Sequence, residues 1–301
     1  KSKQYVLNHK HEIFSGTTSS VSIKNFDIDN YDESINLIDT PGKLKYRKTT
    51  ISALSKYNPC FIFLVFNPLN LVDIDLYLNL VKFFDIEYTV IFTNKDIYLN
   101  FDNLKLDKFD KGKLLEISNT TRFGYSKLIS KVKSCKIKCG IENSLIQICD
   151  ILSVPNMNKI YTGLTFSDIN LDGNFYLHSP EKVKCIKFNS IFFLDKPVNK
   201  VKKNCLITFT LKNDNYLINK TDIIISDSKI MKSYKFINVK CNENINSNQG
   251  TCIFSNQYVP VRIEYINNFL KLTPLNGKFI NVSKKIFLKI NEKYHFCDLL
   301  V

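Results

Sequence analysis

The stretch "INLIDTPGKLKYRKTT", residues 35–50, decides how the chain reads. Apolar Ile35, Leu37 and Ile38 run into Asp39, and Thr40, Pro41 and Gly42 turn the chain into a segment that reads as a helix near 44–57. A strand closed by a carboxylate and a tight turn is a way to hold Asp39 beside a Mg²⁺ ion, because hard cations take oxygen ligands and are often completed by phosphate. Gly42 would let a backbone N–H approach that phosphate. The plainer alternative is a strand-to-helix turn, with Asp39 as the cap and Pro41 and Gly42 bending the chain. What Lys43 does directly after the glycine is the question the turn raises.

Outward from this turn, strands and helices alternate as in a parallel α/β sheet. Asn58 and Pro59 break the first helix, and "CFIFLVF", 60–66, is an apolar run suited to a strand buried on both faces. Leu71, Ile74, Leu78 and Val81 form one helical stripe, "YTVIFTNKD" is the next strand, "LLEIS" (114–118) another, and "FGYSKLISKVKS" a helix. Ligands of such sheets sit at the carboxyl ends of strands, where Asp39, Asn94 to Asp96 and Ser118 fall.

Beyond about residue 142 the texture changes to short β-rich runs punctuated by turns, among them "KIYTGLTF", "CLITFTL", "VPVRIEYI" and "KKIFLKI". The expected fold is an α/β nucleotide-binding-type domain with a parallel sheet (1–142), followed by two small β-barrels, 143–228 and 229–301. Phe192, Phe193 and Phe209 lie on alternating strands of the first barrel and read as core rather than as base-stacking residues.

With 301 residues, 44% of them hydrophobic and 23% charged, the chain is globular and not a disordered tail. Nine scattered cysteines, an odd number, point to reduced thiols and a cytoplasmic protein rather than a disulfide framework. Cys135 and Cys139 share a helical face, but no nearby Cys or His pair completes four zinc ligands, and the His9 and His11 pair is equally incomplete. The longest apolar run is too short to span a bilayer, so no membrane partner is expected. Net charge is +14, and residues 229–301 carry 11 basic against 4 acidic side chains. That balance favours a polyanion, with RNA the obvious one.

Four pieces then come in the order that a GTP site needs. Thr18, in "HKHEIFSGTTSSVS" (9–22), would give a hydroxyl to Mg²⁺. Asp39 and Gly42 follow. Thr93, Asn94, Lys95 and Asp96 end a strand where a carboxylate would take the guanine N–H groups, and Ser118 and Asn119, in "ISN", would bring loop backbone to the guanine oxygen.

On these residues the chain resembles the translational GTPases with an elongation-factor-like three-domain body, and especially the eukaryotic GTP-binding protein 1 and 2 family. "HKHEI", "SG" and "TSSV" resemble its switch I, "ID", Gly42, "KY" and "KTT" its switch II, "ISN" its fifth motif, and "SVP" (153–155) with Gly163 the start of its second domain. The resemblance covers 9 to about 228 in patches. It implies a cytoplasmic, monomeric protein associated with the ribosome or tRNA, whose first domain binds GTP and Mg²⁺.

Three departures qualify it. The family places a water-positioning histidine after D-x-x-G, and here the residue is Lys43, which has no acceptor nitrogen when protonated. The guanine motif N-K-x-D would need Asp at position 97, which is Ile97, whereas aligning on Asp96 puts Thr93 and Asn94 at the Asn and Lys positions. The Gly-Lys pairs that begin at Gly42, Gly112 and Gly277 are followed by Leu44, Leu114 and Phe279, so none makes G-x-x-x-x-G-K-[ST]; in the family that loop precedes switch I, hence Lys1. The expected function is a ribosome-associated, hydrolysis-deficient factor that occupies the factor- or tRNA-binding region and holds ribosomes inactive. The alternatives are an active GTPase with its phosphate loop upstream, and a non-catalytic tRNA-binding protein.

Overall fold

The computed structural model describes residues 10–15, 17–26, 35–57, 59–68, 74–97, 113–135, 146–153, 155, 158–179, 182–203, 205–213, 218–220, 222–226, 233–254, 257–277, 279–280, 285–291 and 293–300. Of the residues singled out in the sequence, His9, Asn58, Leu71, Gly112, Cys139 and Val154 lie outside these. The chain divides into two compact units, one of residues 59–138 and one of 1–58 with 139–301. Among the described residues no helix is long and apolar enough to cross a membrane.

The second of these units opens with α1 (Lys10–Ser15), β1 (Ser22–Phe26) and β2 (Ile35–Asp39), then a 3₁₀ turn (Leu44–Tyr46) and α2 (Arg47–Tyr57). The sequence suggested that 35–39 opens a parallel sheet. Instead β2 pairs antiparallel with β1, Ser22 opposite Asp39, in a two-stranded ribbon. Exposed Leu37 is the physical reason: a strand with one wet face suits an antiparallel ribbon rather than a sheet covered on both sides.

The α/β unit runs β3 (Phe61–Phe66), α3 (Ile74–Phe83), β4 (Glu87–Phe92), β5 (Leu114–Glu116) and α4 (Tyr125–Lys133), its strands parallel in the order β3-β4-β5. Central β4 buries Val90, Ile91 and Phe92, and α3 buries Ile74, Leu78 and Val81 along its apolar stripe. Apolar β3 differs from its expected double burial: it lies at the sheet edge, where only Leu64 is buried and Val65 is 58% exposed.

The β-rich remainder contains β6 (Ile146–Leu152), β7 (Ile160–Thr165), β8 (Ile169–Asn170), β9 (Phe175–His178), β10 (Val183–Ile186), β11 (Phe188–Phe193), β12 (Lys196–Pro197), β13 (Lys200–Val201), β14 (Leu206–Leu211) and β15 (Ile223–Ile225). Eight of these form a sheet in the order β10-β9-β15-β6-β7-β14-β11-β12, with β8 and β13 paired separately. Alternate residues of β7 and β14 point into one core, where Tyr161, Ile146, Ile207 and Phe209 meet. Phe193 packs against that core and Phe209 lies within it. Gly163 is required by close approach, since a Cβ there would come within 2.4 Å of the Ile146 side chain.

Then come β16 (Ser233–Tyr234), β17 (Ile237–Cys241), β18 (Gln249–Phe254), β19 (Gln257–Ile266), β20 (Phe269–Pro274), β21 (Phe279–Ile280), β22 (Lys285–Ile290) and β23 (Lys293–Leu300). Six of them close a barrel, β17-β20-β19-β18-β22-β23, around Val239, Val261, Leu272 and Leu288. Short β16 and β21 pair antiparallel with each other in a separate two-stranded sheet.

One buried charge carries a pH-dependent cost. Asp222 is fully buried; Oδ2 accepts the Asn219 N–H at 2.9 Å, Oδ1 has no partner among the described residues, and burial pushes its carboxyl up to about 6. A carboxyl raised on folding favours the native state while protonated, so its contribution is complete at acid pH below the unfolded value and is lost as pH rises through about 6. Asp222→Asn, which keeps an acceptor for Asn219, is expected to stabilise the protein at pH 7.5 by about 1–2 kcal/mol and to do much less at pH 4. Urea titrations at the two pH values measure the difference.

Candidate functional site

Two groups of functional side chains stand at the carboxyl ends of strands, one in each unit. In the first, Glu12 of α1 is 1% exposed, and its Oε1 accepts the backbone N–H and the hydroxyl of Ser19, both at 2.7 Å, and those of Ser20, both at 3.0 Å. A buried carboxylate needs such donors, and these fix the loop that carries Thr18. Thr18 Oγ1 then donates to Asp39 Oδ2 at 3.1 Å. Burial raises the Asp39 carboxyl above its ordinary range; the Thr18 hydroxyl works downward, the nearby Glu12 charge upward and the Thr40 N–H downward.

The turn after Asp39 is held from below. Pro41 is buried, and its carbonyl accepts the Thr50 hydroxyl of α2 at 2.7 Å. Among the described residues no atom lies within 4 Å of where a Gly42 Cβ would sit, so they do not demand a glycine there. Lys43 follows with an exposed side chain, while its carbonyl accepts the Tyr46 N–H at 2.9 Å and starts the 3₁₀ turn.

Helix α2 ties this turn to the β-rich body. It packs on β18, with the Arg47 guanidinium 5.3 Å from the centre of the Tyr294 ring and the Lys48 ammonium 5.3 Å from that of Tyr258. At its other end the Lys56 ammonium donates to the Cys149 carbonyl, and burial pulls its pKa down. A groove of about 460 Å³ runs past Lys48, Ser52, Lys56, Tyr57, Asp150 and Tyr258.

In the α/β unit the loops after β4 and β5 meet. Thr93 is committed to structure, its N–H and hydroxyl both donating to the Phe66 carbonyl at 3.0 and 3.2 Å. Asn94 takes a left-handed φ of 63°, tolerable for Asn, and its carbonyl accepts the Ile97 N–H. Lys95 pairs with Glu116 at 2.7 Å and its N–H donates to the Ile117 carbonyl. Asp96 stays exposed; the Ser118 hydroxyl foremost, then its own N–H and the Thr120 hydroxyl, hold its carboxyl low against a small opposing effect of burial. Ser118 itself is buried, its N–H donating to the Phe123 carbonyl and its Oγ accepting the Thr121 N–H. Asn119 Oδ1 accepts the Tyr125 hydroxyl at 2.9 Å.

The structure thus joins Thr18 to Asp39 and Asp96 to Ser118, and assigns Thr93, Lys95 and Asn119 contacts that hold their loops. Ile97, where N-K-x-D would need its carboxylate, is 65% exposed. Glu12 was not among the residues singled out in the sequence. The available signal was a glutamate followed seven and eight positions later by two serines able to saturate it.

Magnesium is bound through one or two side-chain oxygens with phosphate and water completing six ligands. Thr18 and Asp39 supply two oxygens, and a desolvated carboxylate gains from a cation beside it, so the pair fits that role. Among the described residues no group of three His, Cys, Asp or Glu side chains is placed to hold a metal by itself.

No family model matches the sequence, and no curated protein matches it. Solved structures do match in fold. A bacterial selenocysteine-specific elongation factor, EF-Sec, superposes with a TM-score of 0.80 at 14% identity over 97% of this chain, which spans about half, 53%, of that chain. Translation elongation factor SelB from Methanococcus maripaludis, solved with the GTP analogue GppNHp, gives 0.71 at 14% identity over 94% of this chain and 73% of its own. The S. cerevisiae Ski7 GTPase-like domain, bound to GDP and inorganic phosphate, gives 0.74 at 13% over 97% and 85%. At these identities the likeness shows the fold alone, one shared with these elongation-factor and GTPase-like structures, and the closed barrel and the eight-stranded sheet fit barrel domains.

Proposed function

We propose that this chain is a translation-factor-like protein of the GTP-binding protein 1 and 2 type, with its hydrolytic machinery disabled. On this reading it docks in the factor- or tRNA-binding region of the ribosome and holds the ribosome inactive. The observation that carries the proposal is Lys43, exposed at the end of a turn fixed through Pro41 and Thr50. A protonated lysine only donates, so it does not orient water as an imidazole acceptor does, and losing such a group costs about 10² to 10⁴ in rate. As a point charge it suits a phosphate instead. Lys45, Arg47 and Lys48 continue the basic run, and Tyr46, Tyr258 and Tyr294 sit beneath its cations. Basic side chains interleaved with aromatic rings support RNA contact.

A specific observation favours a second reading, in which GTP and Mg²⁺ are bound and hydrolysed. The Thr18–Asp39 pair retains the oxygens such an ion takes, and Asp96 with Ser118 retains an acceptor for guanine N–H groups. Bound Mg²⁺ would supply charge stabilisation at phosphate; Thr18 and Asp39 would hold it and Glu12 would keep their loop in place. A free tRNA-binding protein is the third reading.

Sedimentation of the full-length protein with ribosomes and with tRNA, alongside labelled-GTP turnover, separates the three. The expected result is co-migration with ribosomes that weakens steeply with salt, and no ribosome-stimulated hydrolysis. Lys43→Ala and Lys48→Ala are each expected to lower the slope of log affinity against log salt by about one. Stimulated hydrolysis would establish the second reading, and migration with tRNA alone the third.

A further inference from the structure

The six-stranded barrel closes where its first strand, β17, meets the last strand of the chain, β23, and two cysteines face each other at that seam. Cys241 is directly opposite Cys297 in the antiparallel register. Opposed residues of such a pair have Cα atoms about 4.5–5.5 Å apart, inside the window of about 4.4–6.8 Å that a disulfide spans. Both side chains belong to the barrel interior, Cys297 fully buried and Cys241 half-buried against it, and the Cys297 thiol donates to the His295 carbonyl at 3.9 Å. His295 lies two residues before Cys297 on the same strand, its Nδ1 2.7 Å from Glu243 Oε2.

We propose that Cys241 and Cys297 form an oxidation site that a hydroperoxide converts into a cross-strand disulfide, with Cys241 as the attacking sulfur and Cys297 as the resolving one. The Cys241 thiolate gives two electrons to the distal peroxide oxygen; the O–O bond breaks, the alcohol or water leaves after taking up a proton, and Cys241 becomes a sulfenic acid. Cys297 Sγ then attacks Cys241 Sγ, the S–O bond breaks, and the departing hydroxide takes the Cys297 proton and leaves as water. Two thiols lose two electrons and the peroxide gains two. The product links β17 to β23 and closes a covalent loop of about 55 residues.

The surroundings support the assignment of roles. The neighbouring Cys297 thiol foremost, then the Glu243 backbone and the nearby His295, hold the Cys241 thiol below its ordinary range, against burial and the Glu243 charge. The same contact and burial push Cys297 up, with Cys252 and Asp298 adding to the effect, so its proton stays on until Cys241 has reacted. Cys252, fully buried in β18, is raised by burial and is no competitor. Cys185 is exposed and serves as the internal reference.

The test treats the native full chain with equimolar hydrogen peroxide at pH 7, blocks free thiols and maps peptides by mass. The expected product is a Cys241–Cys297 peptide pair lacking two hydrogens, formed before Cys185 is modified. Cys297→Ser, which keeps a donor beside Cys241 but cannot resolve it, is expected to leave Cys241 as a sulfenic acid that a cyclic 1,3-dione traps, and Cys241→Ser to abolish the linkage. On unmodified protein, alkylation of Cys241 is expected to level off at a lower pH than that of an ordinary thiol of pKa about 8.5. Oxidation of Cys185 first with no 241–297 link, or a Cys241 rate still climbing at pH 9, overturns the proposal whether or not the variants fold.

Discussion

Gly124→Ala is expected to cost the α/β unit about 3 kcal/mol and to displace the loop that brings Ser118 to Asp96. Gly124 has φ +80°, and a Cβ there would fall 2.2 Å from the Glu116 carbonyl oxygen and 3.1 Å from Ile117 Cγ2. The left-handed conformation alone costs an alanine about 1–2 kcal/mol. Contact with a backbone oxygen adds the cost of moving β5, since a carbonyl in a parallel ladder cannot swing aside as a side chain does. The Gly124 carbonyl also accepts the Leu128 N–H that starts α4, so the same shift loosens the helix. Urea titration compared with Gly42→Ala is the check, because a Cβ at Gly42 meets nothing within 4 Å and that variant is expected to change stability by less than about 0.5 kcal/mol. Equal midpoints for the two variants would remove the strained-turn account.

Phe209→Ala is expected to cost about 4 kcal/mol, a large share of the roughly 5–15 kcal/mol that holds an ordinary domain folded. The ring is fully buried, stacked on Tyr161 at 5.4 Å between centroids and met edge-on by Phe188 at 5.2 Å. Its removal leaves a cavity between β7, β11 and β14 that three paired strands do not collapse to fill. Phe236, half exposed with Lys271 5.0 Å over its ring, is the control and should lose about 1 kcal/mol or less. A midpoint for Phe209→Ala within error of that control would mean that the eight-stranded sheet is not held by this aromatic stack.

These two sites also indicate what the sequence reveals and what it withholds. The α3 stripe and the alternation along β7, β14 and β20 were legible because burial on one face imposes a period. The partner of β2 was not, since a five-residue strand carries no mark of which neighbour it takes. Nor was the position of β3: "FIFLVF" looks like a central strand, yet apolar content cannot tell the middle of a sheet from its edge. At the candidate site the sequence offered Thr18, Asp39, Asp96 and Ser118 in that order, and in the structure Thr18 meets Asp39 and Asp96 meets Ser118. The sequence did not reveal that Lys95 is taken up by Glu116 and Thr93 by Phe66, because those contacts depend on how two loops lie against each other. Glu12 stayed hidden for the opposite reason: a carboxylate buried under four short-range donors has the same letters as one at the surface.

Helix α2 is fastened at both ends, to the Asp39 turn by Thr50 and to the Cys149 carbonyl by Lys56. Its 11 residues make a stiff rod about 16 Å long. A rod pinned twice cannot swivel alone. Any pull on Asp39 is therefore geared to β6, and the turn either travels with that strand or tears one of its two rivets.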